Sequence, residues 1–419
     1  MPFASSSHRH PLYSRLGGLV VLSLMTLEPA GAEGARCRLD AERSADIDTL
    51  AEPRRERITE LRTPEEVRTP PTVFAGDLLV GNQEGGALKR LDPASGETRW
   101  RLDAPNWIHS DIAWERGIGV VGYGNRFSPP GARANVTGDL LGSGKSGLLA
   151  VDLETGKPVW HYRGTGESML TPVLHAGEVF AAGGDRALHV LSLEDGRQTG
   201  LIKLGAYVGL SSPTLDDEGR LFIGGAAPYR LFCVDPMTRS VVWMAEFGEV
   251  VAGLDSVPPA IEGDLVLTTA VVTASRPRRF SHRLFAVDAQ SGERRWSADL
   301  GENRSRDASV LGTPTVAEGC VVVVGATGDT LHAFDLRSGE TRWQLGCGPI
   351  LGAPVIEGDS VYVTLVAGEL LGADLATGEA HFRASLGEAP RASAGPVRLG
   401  GHLIVPADNG QLYLVPLPS

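Results

Sequence analysis

The sequence predicts an all-β protein: an eight-bladed β-propeller of four-stranded antiparallel blades, with the ring closed by an N-terminal strand. Two observations predict this fold. An acidic residue is followed four positions later by a glycine and four positions after that by a tryptophan, and copies of this pattern begin 39 to 60 residues apart. That spacing lies within or near the period of propeller blades. Between the copies, short apolar runs alternate with glycine-containing turns, as short antiparallel strands require.

The repeated turn has four complete copies and three degraded ones. The complete copies are Asp92-Gly96-Trp100, Asp152-Gly156-Trp160, Asp288-Gly292-Trp296 and Asp335-Gly339-Trp343, and the degraded ones are Asp235-Arg239-Trp243, Asp374-Gly378-Phe382 and Ser192-Gly196-Gly200. We expect each carboxylate to accept bonds from nearby backbone N–H groups of the turn. We expect each tryptophan to fill the wedge between adjacent blades while its N–H reaches a carbonyl. Residues at equivalent places in separate blades cannot all line one ligand site, so the repeat is structural.

Each blade is predicted to hold four strands in the same order. A proline opens the first strand, where its missing N–H is tolerated, and a glycine turn leads to the second strand. The third strand ends at the acidic residue, as in 284–288, and the fourth carries the tryptophan. The repeated turns account for seven blades, and residues 396–415 supply three more strands without a fourth. A closed ring leaves no exposed edge, so we expect residues 57–62 to provide the missing strand.

The N-terminus has the pattern of a secretory signal peptide. A basic start is followed by an apolar run over 16–27, and Ala30 and Ala32 stand at the small-residue positions of a cleavage site. We therefore predict a signal peptide over 1–32, a flexible linker over 33–53 and the propeller over 54–419. The predicted location is periplasmic or secreted. A lipid anchor is not expected, because Arg36 precedes Cys37 where a small residue is needed.

Composition restricts the partners. A net charge of −12 and a pI near 5.4 argue against a nucleic-acid partner, which calls for a basic face. No later apolar run is long enough to cross a bilayer. The four cysteines are too few for a disulfide framework, and a pairing of Cys320 with Cys347 stays open.

The repeat resembles that of the pyrroloquinoline-quinone (PQQ)-like β-propeller family, which reads approximately A-x-D-x-x-T-G-x-x-x-W and appears here over 150–160. The resemblance covers about residues 69 to 417. It is strongest to small exported members, among them the outer-membrane protein assembly factor B (BamB) lipoproteins, although this chain has no lipobox cysteine. The quinoprotein dehydrogenases with a similar repeat are longer and carry a vicinal cysteine pair and a calcium site. This chain has no adjacent cysteines, so no quinone ligand is assigned.

Topology predicts which face of the ring carries function. The first-to-second and third-to-fourth turns of a blade share one face, here called the turn face. The second-to-third turns and the links between blades share the other, here called the loop face. The length variation falls on the loop face, with insertions at 123–147 and 268–283, and variable loops on a rigid scaffold usually carry recognition. A basic run over 276–283 lies in the second insertion.

The links that rim the channel on the loop face supply the candidate partner-binding residues. They are Trp107, His109, Asp111, Tyr207, Asp255, Arg304, Arg306, Asp307 and Arg391. Arginines beside an aromatic ring can capture a carboxylate or an acidic peptide. The alternative, that these are solvated rim charges, carries equal weight.

The favoured hypothesis is a non-catalytic, monomeric, exported scaffold that docks a protein or peptide, in outer-membrane protein assembly or envelope maintenance. It expects no cofactor, no metal site and no catalytic residue. The first alternative is a PQQ-dependent oxidoreductase with calcium. The second is a polysaccharide-binding propeller in which Trp107 and Tyr207 stack on sugars.

Overall fold

The computed structural model describes residues 58–62, 69–82, 85–108, 110–124, 136–137, 140–141, 146–164, 170–209, 211–276, 278–304, 312–387, 394–407 and 410–418. The predicted signal peptide and linker lie outside these residues. All regular secondary structure in the described ranges is β-strand, and none of it is a helix that could cross a membrane.

The strands form eight antiparallel blades, as the sequence predicted. Strand β1 (Thr59–Arg62) belongs to the last blade. Blade 1 holds β2 (Thr72–Phe74), β3 (Asp77–Gly81), β4 (Ala87–Leu91) and β5 (Thr98–Asp103). Blade 2 holds β6 (Ala113–Glu115), β7 (Ile118–Tyr123), β10 (Gly147–Asp152) and β11 (Pro158–Arg163), with a small hairpin of β8 (Val136–Thr137) and β9 (Leu140–Leu141) between β7 and β10.

Blades 3 and 4 follow the same order. Blade 3 holds β12 (Val173–His175), β13 (Glu178–Ala182), β14 (Ala187–Ser192) and β15 (Gln198–Lys203). Blade 4 holds β16 (Thr214–Leu215), β17 (Leu221–Gly225), β18 (Arg230–Asp235) and β19 (Ser240–Glu246).

Blades 5 to 8 complete the ring. Blade 5 has a fifth strand and holds β20 (Val250–Ala252), β21 (Ala260–Glu262), β22 (Leu265–Thr273), β23 (Phe280–Asp288) and β24 (Arg294–Asn303). Blade 6 holds β25 (Thr315–Ala317), β26 (Cys320–Val324), β27 (Thr330–Asp335) and β28 (Thr341–Gly346). Blade 7 holds β29 (Ile350–Glu357), β30 (Ser360–Leu365), β31 (Glu369–Asp374) and β32 (Ala380–Ser385). Blade 8 holds β33 (Val397–Leu399), β34 (His402–Pro406) and β35 (Gln411–Pro416).

The N-terminal strand closes the ring. Strand β1 pairs antiparallel with β35, with Thr59 opposite Leu414 and Arg62 opposite Gln411. The side chain of Leu61 is buried in a cluster shared by blades 8 and 1. Because the first and last strands of the propeller are hydrogen-bonded, blade 8 is completed and the predicted closure is confirmed.

The core lies between the blades. The second and third strands are almost entirely buried, whereas the fourth strands alternate between exposed and covered residues. The first strands of neighbouring blades contact one another, as β25 contacts β21 and β29, which places the first strands at the centre of the ring. The consecutive antiparallel order in each blade also sets the turns on alternating ends, as the division into turn face and loop face requires.

Each aspartate of the repeat stabilises its turn as predicted. The Asp152 carboxylate accepts bonds from the backbone N–H of Thr155 at 2.7 Å and from its hydroxyl at 2.8 Å. Equivalent bonds from backbone N–H groups reach the other five aspartates, Asp92, Asp235, Asp288, Asp335 and Asp374. The repeated acid is therefore a turn-forming residue in all six blades that carry it.

Each tryptophan of the repeat ties its blade to the next. The indole N–H of Trp100 donates to the carbonyl of Leu153, the residue after the aspartate of blade 2, at 2.8 Å. The next blade's glycine lies over the ring, since a Cβ at Gly156 would approach Trp100 Cγ to 2.5 Å. Trp160, Trp243, Trp296 and Trp343 make the same bond at 2.7 to 3.0 Å. The predicted wedge role is confirmed.

One expectation is corrected, and one question that the sequence left open is answered. The predicted insertion over 268–283 is mostly strand, because β22 continues to Thr273 and β23 begins at Phe280. The basic run over 276–283 is therefore divided between the hairpin loop and strand β23. His282 lies in the β22–β23 ladder and is only 1% exposed. Cys320 and Cys347, whose pairing stayed open, are both free and buried.

Candidate functional site

The channel rim on the loop face is built from the links that enter each first strand, and hydrogen bonds join successive links. The backbone N–H of Asp111 donates to the Thr171 hydroxyl at 2.9 Å, and the N–H of Thr171 donates to the Ser212 hydroxyl at 3.1 Å. The links into blades 4 and 5 are joined in the same way, because the N–H of Ser211 donates to the Asp255 carbonyl at 2.8 Å. The described rim of blades 2 to 5 is thus a continuous polar seam.

The structure describes five of the nine predicted rim residues, and His109, Arg306, Asp307 and Arg391 lie outside the described ranges. Trp107 and Asp111 share the link into blade 2. Tyr207, Asp255 and Arg304 lie on the links into blades 4, 5 and 6. The described candidates therefore occupy four links.

Asp111 has the most perturbed ionisation of this set. Burial of its carboxyl raises its pKa from 3.8 to about 6, because removal from water disfavours the charged form. The sequence indicated Asp111 only as a rim charge. In the structure this acid takes up a proton in mildly acidic solution.

Tyr207 is held against its own blade. Its backbone N–H and carbonyl bond to Ala226, and the Arg186 guanidinium lies 4.1 Å from the centre of its ring. The side chain is only 7% exposed. This covered position disfavours Tyr207 as a stacking platform for a sugar, whereas Trp107 is half-buried.

An acid–histidine–tyrosine chain that the sequence analysis did not single out joins blades 2 and 3 near the loop face. His189 Nε2 lies 2.9 Å from the Asp185 carboxylate, and His189 Nδ1 lies 3.0 Å from the Tyr162 hydroxyl. Burial, followed by the charge of Asp185, raises the pKa of Tyr162. The Tyr162 hydroxyl also lies 3.1 Å from Gln198 Oε1, so this chain of hydrogen bonds links blade 2 to blade 3. The alternation of His189 with buried apolar neighbours on β14 was the available sequence signal.

The described loop face also carries a second feature that the sequence analysis located only in part. The β22–β23 hairpin of blade 5 ends in Arg276, Arg278 and Arg279, with Arg304 beside them at the end of β24. Arg276, Arg278 and Arg304 are exposed and Arg279 is half-buried. In the described part of the chain, no group of three or more His, Cys, Asp or Glu side chains is placed to hold a metal ion.

Comparison with known proteins places this ring in a family. The family model described as outer membrane protein assembly factor BamB matches residues 43–206 and 228–417. The BamB protein of Bordetella pertussis is 25% identical over 358 residues, which cover 82% of this chain and 82% of that protein.

A second relative is named for an enzymatic activity. The tetrathionate hydrolase of Acidithiobacillus ferrooxidans is 25% identical over 228 residues, which are 52% of this chain and 46% of that protein. The match thus spans less than half the length of that hydrolase.

Solved structures share the fold. BamB of Moraxella catarrhalis superposes with a TM-score of 0.62 at 15% identity, covering 87% of this chain and 99% of that one. Quinohemoprotein alcohol dehydrogenase of Comamonas testosteroni gives a TM-score of 0.57 at 14% identity, covering 86% and 77%. These likenesses show the propeller alone. The family model, which matches both halves of the ring, decides the family: the chain belongs to that of the outer membrane protein assembly factor BamB.

Proposed function

We propose that this chain is a non-catalytic, exported scaffold for outer-membrane protein assembly that docks a protein or peptide on its loop face. The observation that carries the proposal is the family match over both halves of the propeller, supported by a BamB relative aligned over 82% of each chain. A protein named as an assembly factor acts through contacts with other proteins, and a rigid ring with variable loops suits that role.

The distribution of engaged side chains supports the loop face as the docking surface. On the turn face, the repeat aspartates accept backbone N–H groups and the tryptophans are covered by the next blade's glycines. Those groups are already used to hold the ring together. The loop face instead carries the blade 5 hairpin and the half-buried Trp107 of the channel rim.

We expect the purified protein to carry no cofactor, and the rival activities are checked directly. A quinoprotein would bind PQQ in the presence of calcium and reduce a dye with an alcohol substrate. Because one relative is named a tetrathionate hydrolase, hydrolysis is tested by measuring the loss of tetrathionate. An absorption spectrum after addition of PQQ and calcium tests for binding of the quinone, and the two assays test for activity. Turnover in either assay would overturn the non-catalytic proposal.

The proposal itself is tested by deleting the gene in the source cell and measuring folded β-barrel protein in the outer membrane. We expect the heat-modifiable, folded fraction to fall and the full-length protein to restore it. Unchanged β-barrel levels in the deletion strain would remove the assembly role.

A further inference from the structure

The hairpin of blade 5 extends past the hairpin of blade 6 on the loop face. The ladder of blade 6 runs from Cys320 opposite Asp335 to Val324 opposite Leu331. The equivalent ladder of blade 5 starts at Leu265 opposite Asp288 and continues to Thr273 opposite Phe280. Since both ladders start at the repeat aspartate, the four additional pairs carry the blade 5 tip roughly 13 Å further at ~3.4 Å per residue.

Four arginines occupy this projecting tip, here called the arginine tip: Arg276, Arg278, Arg279 and Arg304. Asn303 pairs with Phe280, so Arg304, the next residue, lies beside Arg279. Within the described part of the chain, none of the four side chains forms an ion pair. Two arginines nearer the base of the same blade do form ion pairs: Arg294 pairs with Glu249 and Arg295 with Asp288, both at 2.5 Å.

Among the residues that the structure describes, the acids near the tip form no ion pair with its four arginines. The Glu249 carboxylate is bound by Arg294, and the pKa of Glu249 is lowered by a backbone hydrogen bond and then by Arg294. Glu302 lies opposite Ser281, further down the ladder than Arg304. A concentration of positive charge on a protein of net charge −12 therefore faces solvent at the end of the extended hairpin.

The chemistry of the tip favours a polypeptide over a membrane surface. Guanidinium groups match carboxylates in a planar, two-bond geometry. Attachment to a membrane normally adds large apolar side chains that enter the lipid. The exposed large apolar residues of the described chain are Trp114, Val159, Leu201, Met237, Val242 and Met244, and all lie outside the tip.

We propose that the arginine tip is a docking site for an acidic segment of a partner protein. This inference rests on the proposed function, since it names the chemistry of the partner that the loop face receives. Charge of this kind accelerates encounter and selects partners by sign, and its contribution weakens as salt screens it.

The test measures binding of a fluorescein-labelled oligoglutamate peptide to the full chain by anisotropy at low ionic strength. The tip variant is Arg276→Glu/Arg279→Glu/Arg304→Glu, which reverses three of the four arginines so that the control can match it in net charge. The control variant, Arg116→Glu/Arg197→Glu/Arg337→Glu, changes the net charge equally. Its arginines are 72%, 72% and 68% exposed on the turn face. We expect the tip variant to raise Kd about ten-fold or more and the control less than about two-fold. Thermal midpoints of both variants verify folding.

Two results would overturn the arginine tip as an acidic-peptide site. Equal losses in both variants would mean that overall charge sets binding. Tip-dependent retention on phosphatidylglycerol vesicles, without oligoglutamate binding, would identify an anionic lipid surface instead. The deletion assay keeps the two proposals separate. If the tip binds the peptide but β-barrel levels are unchanged in the deletion strain, the arginine tip is supported and the assembly role is removed. If the peptide does not bind but β-barrel levels fall, the assembly role is supported and the arginine tip is removed.

Discussion

Arg239 of blade 4 lies against Gly200 of blade 3, and this pair reverses the usual arrangement of the repeat. Gly200 stands where the repeat has tryptophan, and Arg239 stands where the repeat has glycine. A Cβ at Gly200 would approach Arg239 Nη1 to 2.8 Å. The guanidinium donates to the Thr199 carbonyl and, at 2.8 Å, to the Glu178 carboxylate. Five other boundaries place tryptophan before the boundary and glycine after it, whereas this boundary has glycine before it and arginine after it. Both arrangements fill the same wedge.

This exchange predicts strong coupling between the two positions. Gly200→Trp alone should lower the thermal midpoint, because the indole collides with Arg239. Gly200→Trp combined with Arg239→Gly restores the arrangement of the other blades and should recover most of the loss. A double-mutant cycle should give a coupling free energy of about 1–3 kcal/mol. Additive effects would show that the wedge is not shared.

The glycine over each tryptophan should be intolerant of a side chain. Gly156 has φ +70, and a Cβ there would lie 2.5 Å from Trp100 Cγ. Gly156→Ala should therefore lower the free energy of unfolding by about 2–4 kcal/mol, through overpacking and backbone strain together. Urea unfolding followed by tryptophan fluorescence measures this loss.

Gly76 provides the matched control, because its φ is +84 and a Cβ at this position would have no neighbouring atom within 4 Å. Gly76→Ala should cost only the strain, about 1–2 kcal/mol. Equal losses at Gly76 and Gly156 would contradict the wedge role of the indole.

The repeat aspartates predict loss of stability in acid. The Arg295 hydrogen bond lowers the pKa of Asp288 to about 2, and the Arg342 hydrogen bond lowers that of Asp335 to about 2. Since both folded pKa values lie below the ordinary 3.8, their stabilisation is present above pH 3.8 and is lost as pH falls through about 2. Asp288→Asn/Asp335→Asn should make the thermal midpoint less dependent on pH between those limits. An unchanged acid profile would contradict the assignment.

Asp111 predicts the opposite pH dependence. Burial raises its folded pKa to about 6, so the unfolded state releases this proton first and stability falls as pH rises from 3.8 to about 6. Asp111→Asn should raise the thermal midpoint above pH 6 and have little effect near pH 3.5. A pH-independent effect of the substitution would show that Asp111 titrates normally.

Blade number, ring closure and the wedge tryptophans were predictable because each depends on a short repeated pattern. The Arg239–Gly200 exchange was also readable, since both departures fall in neighbouring copies of the repeat. The strand extension of blade 5 was missed even though 268–273 is a run rich in β-branched residues. When strand lengths are taken from the other copies of the repeat, additional residues such as these are assigned to a loop.

The candidate site was less predictable. Rim positions follow from topology, so Asp111 and Asp255 were correctly placed on channel links. Their environments depend on contacts between different blades, such as Asp111 with Thr171 and Arg186 with Tyr207. The sequence pattern of one blade does not contain that information. The partner-binding role of all nine rim residues stays a prediction, and His109, Arg306, Asp307 and Arg391 also lie outside the described ranges.

The most direct test of the loop face compares two sets of charge reversals in the gene-deletion strain. Arg304→Glu/Arg306→Glu/Arg391→Glu changes three arginines that the sequence predicts on the loop face, and Arg116→Glu/Arg197→Glu/Arg337→Glu changes the turn face by the same net charge. Folded β-barrel protein in the outer membrane is then measured at matched expression. The turn-face variant should restore it fully and the loop-face variant should restore less than about a third. Full restoration by both variants would contradict docking through Arg304, Arg306 and Arg391.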